Sequence, residues 1–166
     1  QTFKALNLDG DADAAAEQCF APLANRAPFP DAHTSLRSLS QHWTLGVLSN
    51  ADDRYLHPVI DHNKWPFATI VSSEEARAYK PDLRIFEFFC RKARVQANQV
   101  LYVGDSAYDD VHGASLAGMN TVLLQRNQET PGRTPVPPAI ELTTPQFHIS
   151  SLTELLPLLI KFGSRL

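Results

Sequence analysis

The sequence lacks the features that mark several broad classes of protein. The net charge is −3 and the isoelectric point is near 6.1, so there is no basic excess of the kind that binds nucleic acid. The apolar run over residues 155–160 contains Pro157 and is far below the length that spans a membrane. Cys19 and Cys90 form no CxxC pair, which is typical of reduced thiols. No secretory signal is recognisable, and we expect a cytoplasmic protein without nucleic-acid or membrane partners.

The sequence does contain enough apolar residues for one folded domain, since 43% of its 166 residues are hydrophobic. From residue 31 onward, short apolar runs alternate with segments of helical periodicity, which predicts a parallel sheet covered on both faces. We therefore expect a three-layer, Rossmann-like α/β fold. Asp31 and Asp82 are predicted helix N-caps. The predicted strands are 43–48, 67–71, 100–104, 121–124 and 147–149, and the predicted helices are 13–26, 31–41, 52–62, 82–94, 109–117 and one that begins at Ser151.

Three groups of polar residues lie at or just beyond predicted strand ends, where ligands bind in such sheets. A hydroxyl group can bind phosphoryl oxygens, a lysine can offset negative charge, and neighbouring carboxylates can bind Mg²⁺. Taken singly, each group also has an ordinary interpretation as a turn, an exposed lysine or a helix cap. Two acids after one strand are harder to explain, because facing carboxylates repel each other unless a cation or proton lies between them. The residues are Ser49 and Asn50, then Lys80, then Asp105 with Asp109 and Asp110.

Taken in this order, the residues resemble the haloacid dehalogenase (HAD-like) superfamily of hydrolases, in its capped phosphatase and dehalogenase branch. Its second motif, a strand ending in Ser or Thr, is matched by LGVLSNADD, and its third, a lysine opening a helix, by YKPDLRIFEFF. Its fourth, a strand ending in Gly-Asp with a second acid downstream, is matched by LYVGDSAYDDVHGASLAGM. Response-regulator domains carry similar residues, but there the lysine comes last, whereas here the order is Ser49, Lys80, Asp105. The resemblance covers residues 29–159.

The resemblance implies a role for each residue on the phosphate side of the site. Ser49, assisted by Asn50, would hydrogen-bond a phosphoryl oxygen. Lys80 would stabilise negative charge and orient the nucleophile.

The resemblance also implies a metal side and a reaction. Asp105 would hold Mg²⁺, with Asp110 either as a second ligand or as a residue that supports the ligands, and Asp109 is the alternative to Asp110. The implied function is Mg²⁺-dependent hydrolysis of a small phosphorylated metabolite through an aspartyl-phosphate. The alternatives are a 2-haloacid dehalogenase, which is metal-free, and a non-catalytic binding protein on the same scaffold.

The first motif of the family, an apolar strand ending in Asp-x-Asp, has no good counterpart in this sequence. That motif supplies the nucleophile and the general acid and base. The only candidate is LNLDGDADAA, in which Asn7 interrupts the strand and no Thr or Val follows the second acid at the family's spacing. We interpret residues 1–27 as the end of a helical cap and residues 28–166 as the α/β core without its first strand. A degenerate first motif at Asp9 or Asp11 is the alternative interpretation.

The missing strand has a structural consequence. In the family it lies between the strand that ends at Ser49 and the strand that ends at Asp105. Without it, two central strands present bare edges with unpaired backbone groups, and we expect such a chain to be unstable alone. A complementary N-terminal segment carrying the strand would remove these edges, or the sheet would close over the gap.

Overall fold

The computed structural model describes residues 5–7, 9–24, 27–126 and 136–162. Every predicted strand has a counterpart in these ranges, and so does every predicted helix, although residues 25–26 of the first lie outside them and the helix predicted over 109–117 begins as a π-helix. The strands are β1 (Leu45–Ser49), β2 (Phe67–Ser72), β3 (Leu101–Gly104), β4 (Asn120–Leu124) and β5 (Phe147–Ile149). The α-helices are α1 (Ala12–Ala24), α2 (Ala32–Ser40), α3 (Asp53–Asn63), α4 (Ser73–Ala76), α5 (Leu83–Ala93), α6 (Gly113–Leu116) and α7 (Leu155–Phe162), with 3₁₀ turns at Ala97–Gln99 and Leu152–Glu154 and a π-helix at Ala107–His112.

The strands form two parallel sheets, which confirms the α/β fold with a parallel arrangement. One sheet has the order β1-β2, with Ser49 opposite Ser72. The other has the order β3-β4-β5, with Gly104 opposite Leu123. Because all pairings are parallel, the carboxyl ends of the strands within each sheet lie at one edge. No helix in the described ranges is long and apolar enough to cross a membrane.

Helices pack on both faces of these sheets, each over its own apolar cluster. On one face, α5 places Ile85 and Phe86 in a cluster with Val71, and all three are fully buried. On the other face, α2 and α7 contribute Leu39 and Leu155 to a second cluster. Full burial of one such side chain contributes about 1.5–3 kcal/mol, so these two clusters hold the layers together.

A cleft separates the two sheets, because among the described residues β1 pairs only with β2 and β3 pairs only with β4. We call it the β1–β3 cleft; its volume is about 510 Å³. The side chains and backbone of both strands form its walls. Helices close it on both faces, with Phe89 and Ala93 of α5 on one side and Leu36, Leu39, Leu155 and Leu159 of α2 and α7 on the other.

The segment before α1 forms turns, and the strand of a degenerate first motif is not seen there. Asn7 has φ 52° and Gly10 has φ 137°, both in the left-handed region; Leu8 of the candidate motif lies outside the described residues. The Asp11 carboxylate accepts hydrogen bonds from the backbone N–H groups of Asp13 and Ala14, at 2.9 and 3.0 Å. Asp11 therefore acts as a helix cap, and the assignment of residues 1–27 to a cap domain stays a prediction.

The two predicted N-caps behave differently. The Asp82 carboxylate accepts from the backbone N–H of Arg84 at 2.9 Å and caps α5 as predicted. Asp31 precedes α2 but makes no capping hydrogen bond, so that prediction was wrong for its side chain. Its carboxylate instead accepts hydrogen bonds from the Arg126 guanidinium, the Ser151 hydroxyl and the Leu152 backbone N–H, at 2.9, 2.8 and 2.8 Å.

Candidate active site

The predicted site residues lie at the carboxyl ends of strands or in the segments that follow them. Ser49 is the half-buried last residue of β1, and Asn50 is exposed beside it. Lys80 lies between α4 and α5, and Asp105 follows β3 and is exposed. Asp109 and Asp110 belong to the π-helix that comes next.

Asn50 joins the loop after β1 to the backbone of Lys80. Its side-chain oxygen accepts from the Lys80 backbone N–H at 2.8 Å, and its side-chain N–H donates to the Lys80 carbonyl at 3.3 Å. The backbone of Lys80 is therefore held in place by a side chain thirty residues away in the sequence. The prediction that Asn50 also assists phosphate binding stays untested.

Lys80 and Asp110 form a buried ion pair with Tyr102. The Lys80 ammonium group donates to Asp110 Oδ1 at 2.5 Å, and the exposed fractions of the two side chains are 13% and 5%. The Tyr102 hydroxyl accepts from Lys80 Nζ at 3.2 Å and donates to the same Asp110 oxygen at 3.1 Å. Three polar groups thus converge where β3 ends, and charge-assisted contacts of this kind are among the stronger hydrogen bonds in proteins.

The Tyr102 hydroxyl also links the two sheets. It lies 3.5 Å from the carbonyl oxygen of Leu48 in β1, and the Tyr102 ring packs edge-on against Phe86 at a centroid distance of 5.5 Å. Burial raises the pKa of Tyr102 well above its usual value, and the Asp110 carboxylate raises this pKa further. The hydroxyl group therefore keeps its proton and remains a hydrogen-bond donor.

The π-helix brings Asp110 back over the end of β3. The Ser106 backbone N–H donates to Asp110 Oδ2 at 2.9 Å, and the Ser106 hydroxyl accepts from the Asp109 backbone N–H at 3.0 Å. A side chain at Gly104 would overlap the Cβ and Cγ atoms of Asp110. Glycine at this position is therefore a requirement for the approach of Asp110 to Lys80.

The acids of this loop fit Mg²⁺ in part. Mg²⁺ in proteins is commonly bound by one or two carboxylates together with water and substrate phosphate oxygens. Asp105 is exposed and lies outside the Lys80–Asp110 network, whereas Asp110 uses both of its oxygens within that network. Asp109 accepts a hydrogen bond from the Ser106 hydroxyl at 3.3 Å. No group of three or more His, Cys, Asp or Glu side chains in the described ranges converges as a metal site.

The structure thus brings together some of the predicted site residues. Lys80 and Asp110 are in direct contact, and Asn50 reaches both sides of the Lys80 backbone. Tyr102 is a site residue that the sequence reasoning missed, because an aromatic residue inside an apolar strand is indistinguishable from a core residue.

Comparison with known proteins shows which family the chain is similar to. A sequence model described as haloacid dehalogenase-like hydrolase matches residues 13–124. The chain is 33% identical over 136 residues to (S)-2-haloacid dehalogenase 4A of Burkholderia cepacia, covering 80% of this chain and 55% of the relative. It is 32% identical over 103 residues to glyceraldehyde 3-phosphate phosphatase of Methanothermobacter thermautotrophicus, covering 58% of this chain and 44% of the relative.

A solved structure shares the fold over almost the whole chain. The L-2-haloacid dehalogenase from Xanthobacter autotrophicus, with chloropropionic acid covalently bound, matches with a TM-score of 0.76 at 21% identity. The match covers 96% of this chain and 71% of that structure. In length, the chain spans about half of the curated relatives that it matches.

Proposed function

Because the chain belongs to the haloacid dehalogenase-like hydrolase family, we propose that it provides the phosphate-binding and metal-binding half of a Mg²⁺-dependent phosphomonoesterase. The observation that carries this proposal is the charge balance at the loop after β3. One ammonium group, on Lys80, is paired with Asp110, and two further carboxylates, on Asp105 and Asp109, belong to the same segment after β3. A phosphomonoester dianion is repelled by this excess of negative charge unless a divalent cation accompanies it.

Lys80 and Ser49 would supply the hydrogen-bond donors that bind the phosphate group. An ammonium group has three N–H donors, and Lys80 uses one on Asp110 and one on Tyr102. One donor therefore remains for a ligand oxygen. The Ser49 hydroxyl at the end of β1 is a second donor for the same ligand.

The carboxylates have a different role. Asp105 would hold the Mg²⁺ ion, with Asp109 or Asp110 as its partner, and the ion would stabilise the charge on the phosphoryl oxygens. Asp110 also fixes the Lys80 ammonium group, so this carboxylate serves both sides of the site. The nucleophile is absent from the residues to which we assign roles, and the proposal is limited to binding and charge stabilisation.

Metal-dependent phosphate binding is the measurement that tests this function. We expect calorimetry to detect binding of inorganic phosphate to the chain in Mg²⁺ and not in excess EDTA. Asp105→Asn is expected to weaken Mg²⁺-dependent binding at least about tenfold, because even an outer-shell partner of a metal is worth that much. The matched control is Asp61→Asn, an exposed residue on α3, which should bind phosphate like the unchanged chain.

A second candidate function is 2-haloacid dehalogenation. It is favoured by the 33% identity to the dehalogenase of Burkholderia cepacia over 80% of this chain. A haloacid carries a single negative charge, so the Lys80 ammonium group can bind it without a metal ion. Binding of (S)-2-chloropropionate that EDTA leaves unchanged, together with absence of phosphate binding, would decide for this candidate. Binding of neither ligand would contradict both and favour a non-catalytic role.

A further inference from the structure

The Tyr102 hydroxyl group contacts polar atoms from three different segments of the chain. It accepts from Lys80 Nζ at 3.2 Å, and it lies 3.1 Å from Asp110 Oδ1 and 3.5 Å from the carbonyl oxygen of Leu48. Packing of the ring on Phe86 explains an aromatic residue at this position but not the hydroxyl group, because phenylalanine would fill the same space. The hydroxyl group therefore has a polar role of its own.

Only one of the two acceptors can receive the Tyr102 proton at a time, because a phenol has a single O–H donor. Asp110 Oδ1 is the nearer acceptor and is charged, and hydrogen bonds to charged groups are the stronger ones. The hydroxyl group therefore donates to Asp110 in this structure. Rotation of the O–H bond is enough to turn the proton towards the Leu48 carbonyl oxygen, since that oxygen is also within reach.

These alternative acceptors make the Tyr102 hydroxyl group a coupling element, because whatever occupies one acceptor favours the arrangement that uses the other. We propose that Tyr102 is a positioning residue: when a metal ion engages Asp110, the Tyr102 hydroxyl group donates to the Leu48 carbonyl oxygen and keeps the Lys80 ammonium group at the site. This inference rests on the proposed function, in which Asp110 is a candidate ligand of Mg²⁺ and Lys80 binds phosphate.

The donors of the Lys80 ammonium group show what this position achieves. The group has three N–H donors, of which one goes to Asp110 and one to Tyr102. When Asp110 is engaged elsewhere, the first of these donors is free for a ligand oxygen, and the bond to Tyr102 is the one of the two that remains. Because a lysine side chain is flexible, that bond keeps the ammonium group in place while two donors face the ligand.

The same hydroxyl group connects Lys80 with Ser49, the other residue proposed to bind phosphate. The Leu48 carbonyl group and the Ser49 backbone nitrogen belong to one peptide unit, and this unit is planar and rigid. A hydrogen bond to the Leu48 oxygen therefore restrains the backbone that carries the Ser49 hydroxyl group. In this arrangement one oxygen atom, on Tyr102, holds the two phosphate-binding residues relative to each other.

The carbonyl carbon of Leu48 reports the second arrangement directly. Its NMR signal moves downfield when the oxygen accepts a hydrogen bond, and we expect this shift when Mg²⁺ is added to the unchanged chain. Tyr102→Phe should abolish the shift, because the ring has no proton to donate. The matched control is Tyr79→Phe, since Tyr79 is 64% exposed and directly precedes Lys80; this variant should show the full shift.

Phosphate binding measures the consequence for the site. In saturating Mg²⁺, we expect calorimetry to show that Tyr102→Phe binds inorganic phosphate at least about fivefold more weakly than the unchanged chain, because a hydrogen bond that positions Lys80 is lost. The affinity for Mg²⁺ without phosphate should not fall, since Tyr102 is not a proposed metal ligand. A variant that only disturbed the fold would weaken both affinities.

Two measurements without metal make this inference testable apart from the proposed function. The Lys80 ammonium protons should exchange with water at least about fivefold faster in Tyr102→Phe than in the unchanged chain or in Tyr79→Phe. In Asp110→Ala, the downfield shift of the Leu48 signal should appear without Mg²⁺, and adding Tyr102→Phe should remove it. If Asp110→Ala does not fold, the proton exchange and the Mg²⁺ titration decide.

Several results would overturn the role of Tyr102. Equal exchange of the Lys80 ammonium protons in Tyr102→Phe and the unchanged chain would do so, as would a Leu48 signal that moves equally in both. Equal phosphate affinity of the two proteins in Mg²⁺ would also contradict it, although the proposed function would stand. If the unchanged chain binds no phosphate in Mg²⁺, the proposed function fails, and the measurements without metal alone support or contradict the role of Tyr102.

Discussion

The hydroxyl group of Tyr102 lies between the Lys80 ammonium group and the Asp110 carboxylate, at 3.2 and 3.1 Å. Its contribution can be separated from that of the ring, because the ring packs on Phe86 with or without the hydroxyl group. The Tyr102→Phe variant therefore removes the hydrogen bonds to Lys80 and Asp110, together with the 3.5 Å contact to the Leu48 carbonyl oxygen, and keeps the ring packing.

We expect Tyr102→Phe to lower the free energy of unfolding by about 1–2 kcal/mol, as measured by urea denaturation. The direct bond between Lys80 and Asp110 remains in the variant, which limits the loss. The control is Tyr79→Phe, since Tyr79 is 64% exposed, and its change should stay within about 0.5 kcal/mol. A loss as small for Tyr102→Phe as for the control would mean that the hydroxyl group does not support the ion pair.

Asp31 acts at the scale of elements, because it connects the start of α2 with Arg126, which follows β4, and with the turn before α7. Burial opposes ionisation of Asp31, but the hydrogen bonds from Arg126, Ser151 and Leu152 outweigh it and lower the pKa from 3.8 to about 2. A carboxylate with a lowered pKa in the folded state stabilises the fold above its unfolded pKa. That stabilisation is lost as the pH falls from about 4 towards 2.

Asp31→Asn is therefore expected to be less stable than the unchanged chain at pH 7, by about 2 kcal/mol. The difference between the two proteins should shrink as the pH is lowered from 4 to 2. Denaturant titrations at a series of pH values measure it, with Asp61→Asn as the control for an exposed aspartate. A difference that is constant across this range would show that ionisation of Asp31 does not stabilise the fold.

The boundaries of most elements could be predicted from the sequence to within one or two residues. The apolar run 121–124, for example, follows Gly118, which marks the end of the preceding helix. Such signals are local in the sequence and do not depend on contacts with distant residues. The role of Asp31 could not be predicted in this way, because its partners lie about 100 residues downstream. A short polar side chain before a helix gives the same sequence signal whether or not it caps that helix.

The geometry of the site was predicted only in outline. Motif order placed Lys80 and Asp110 at one edge of the sheet, and the structure brings them into contact. The π-helix was predicted as the beginning of an ordinary helix, since its i→i+5 hydrogen bonds leave no periodic signal in six residues. Tyr102 was not singled out, because its partners are fixed by packing between two sheets.

At the scale of the whole molecule, strands in the middle of a sheet and strands at its edge should differ in protection from hydrogen exchange. Within the part of the chain that the structure describes, β4 is hydrogen-bonded to a strand on each side, whereas β1 and β3 have one partner each. We expect the backbone amides of β4 to exchange at least about tenfold more slowly than those of β1 and β3, because edge groups open more easily. Hydrogen exchange read by mass spectrometry measures this directly. Equal protection across β1, β3 and β4 would mean that the edges are already covered in solution.

The hydrogen bonds between Asn50 and the Lys80 backbone restrict the main chain of Lys80 but not its side chain. The main chain of Lys80 is anchored at both its N–H and its carbonyl group, while its four-carbon side chain keeps its own rotations. The Lys80 side chain can thus change rotamer while its backbone stays fixed, and in this structure its ammonium group is paired with Asp110. If Lys80 binds an anion, as proposed, rotation about its side-chain bonds is sufficient to bring the ammonium group to that anion, and the loop does not have to move.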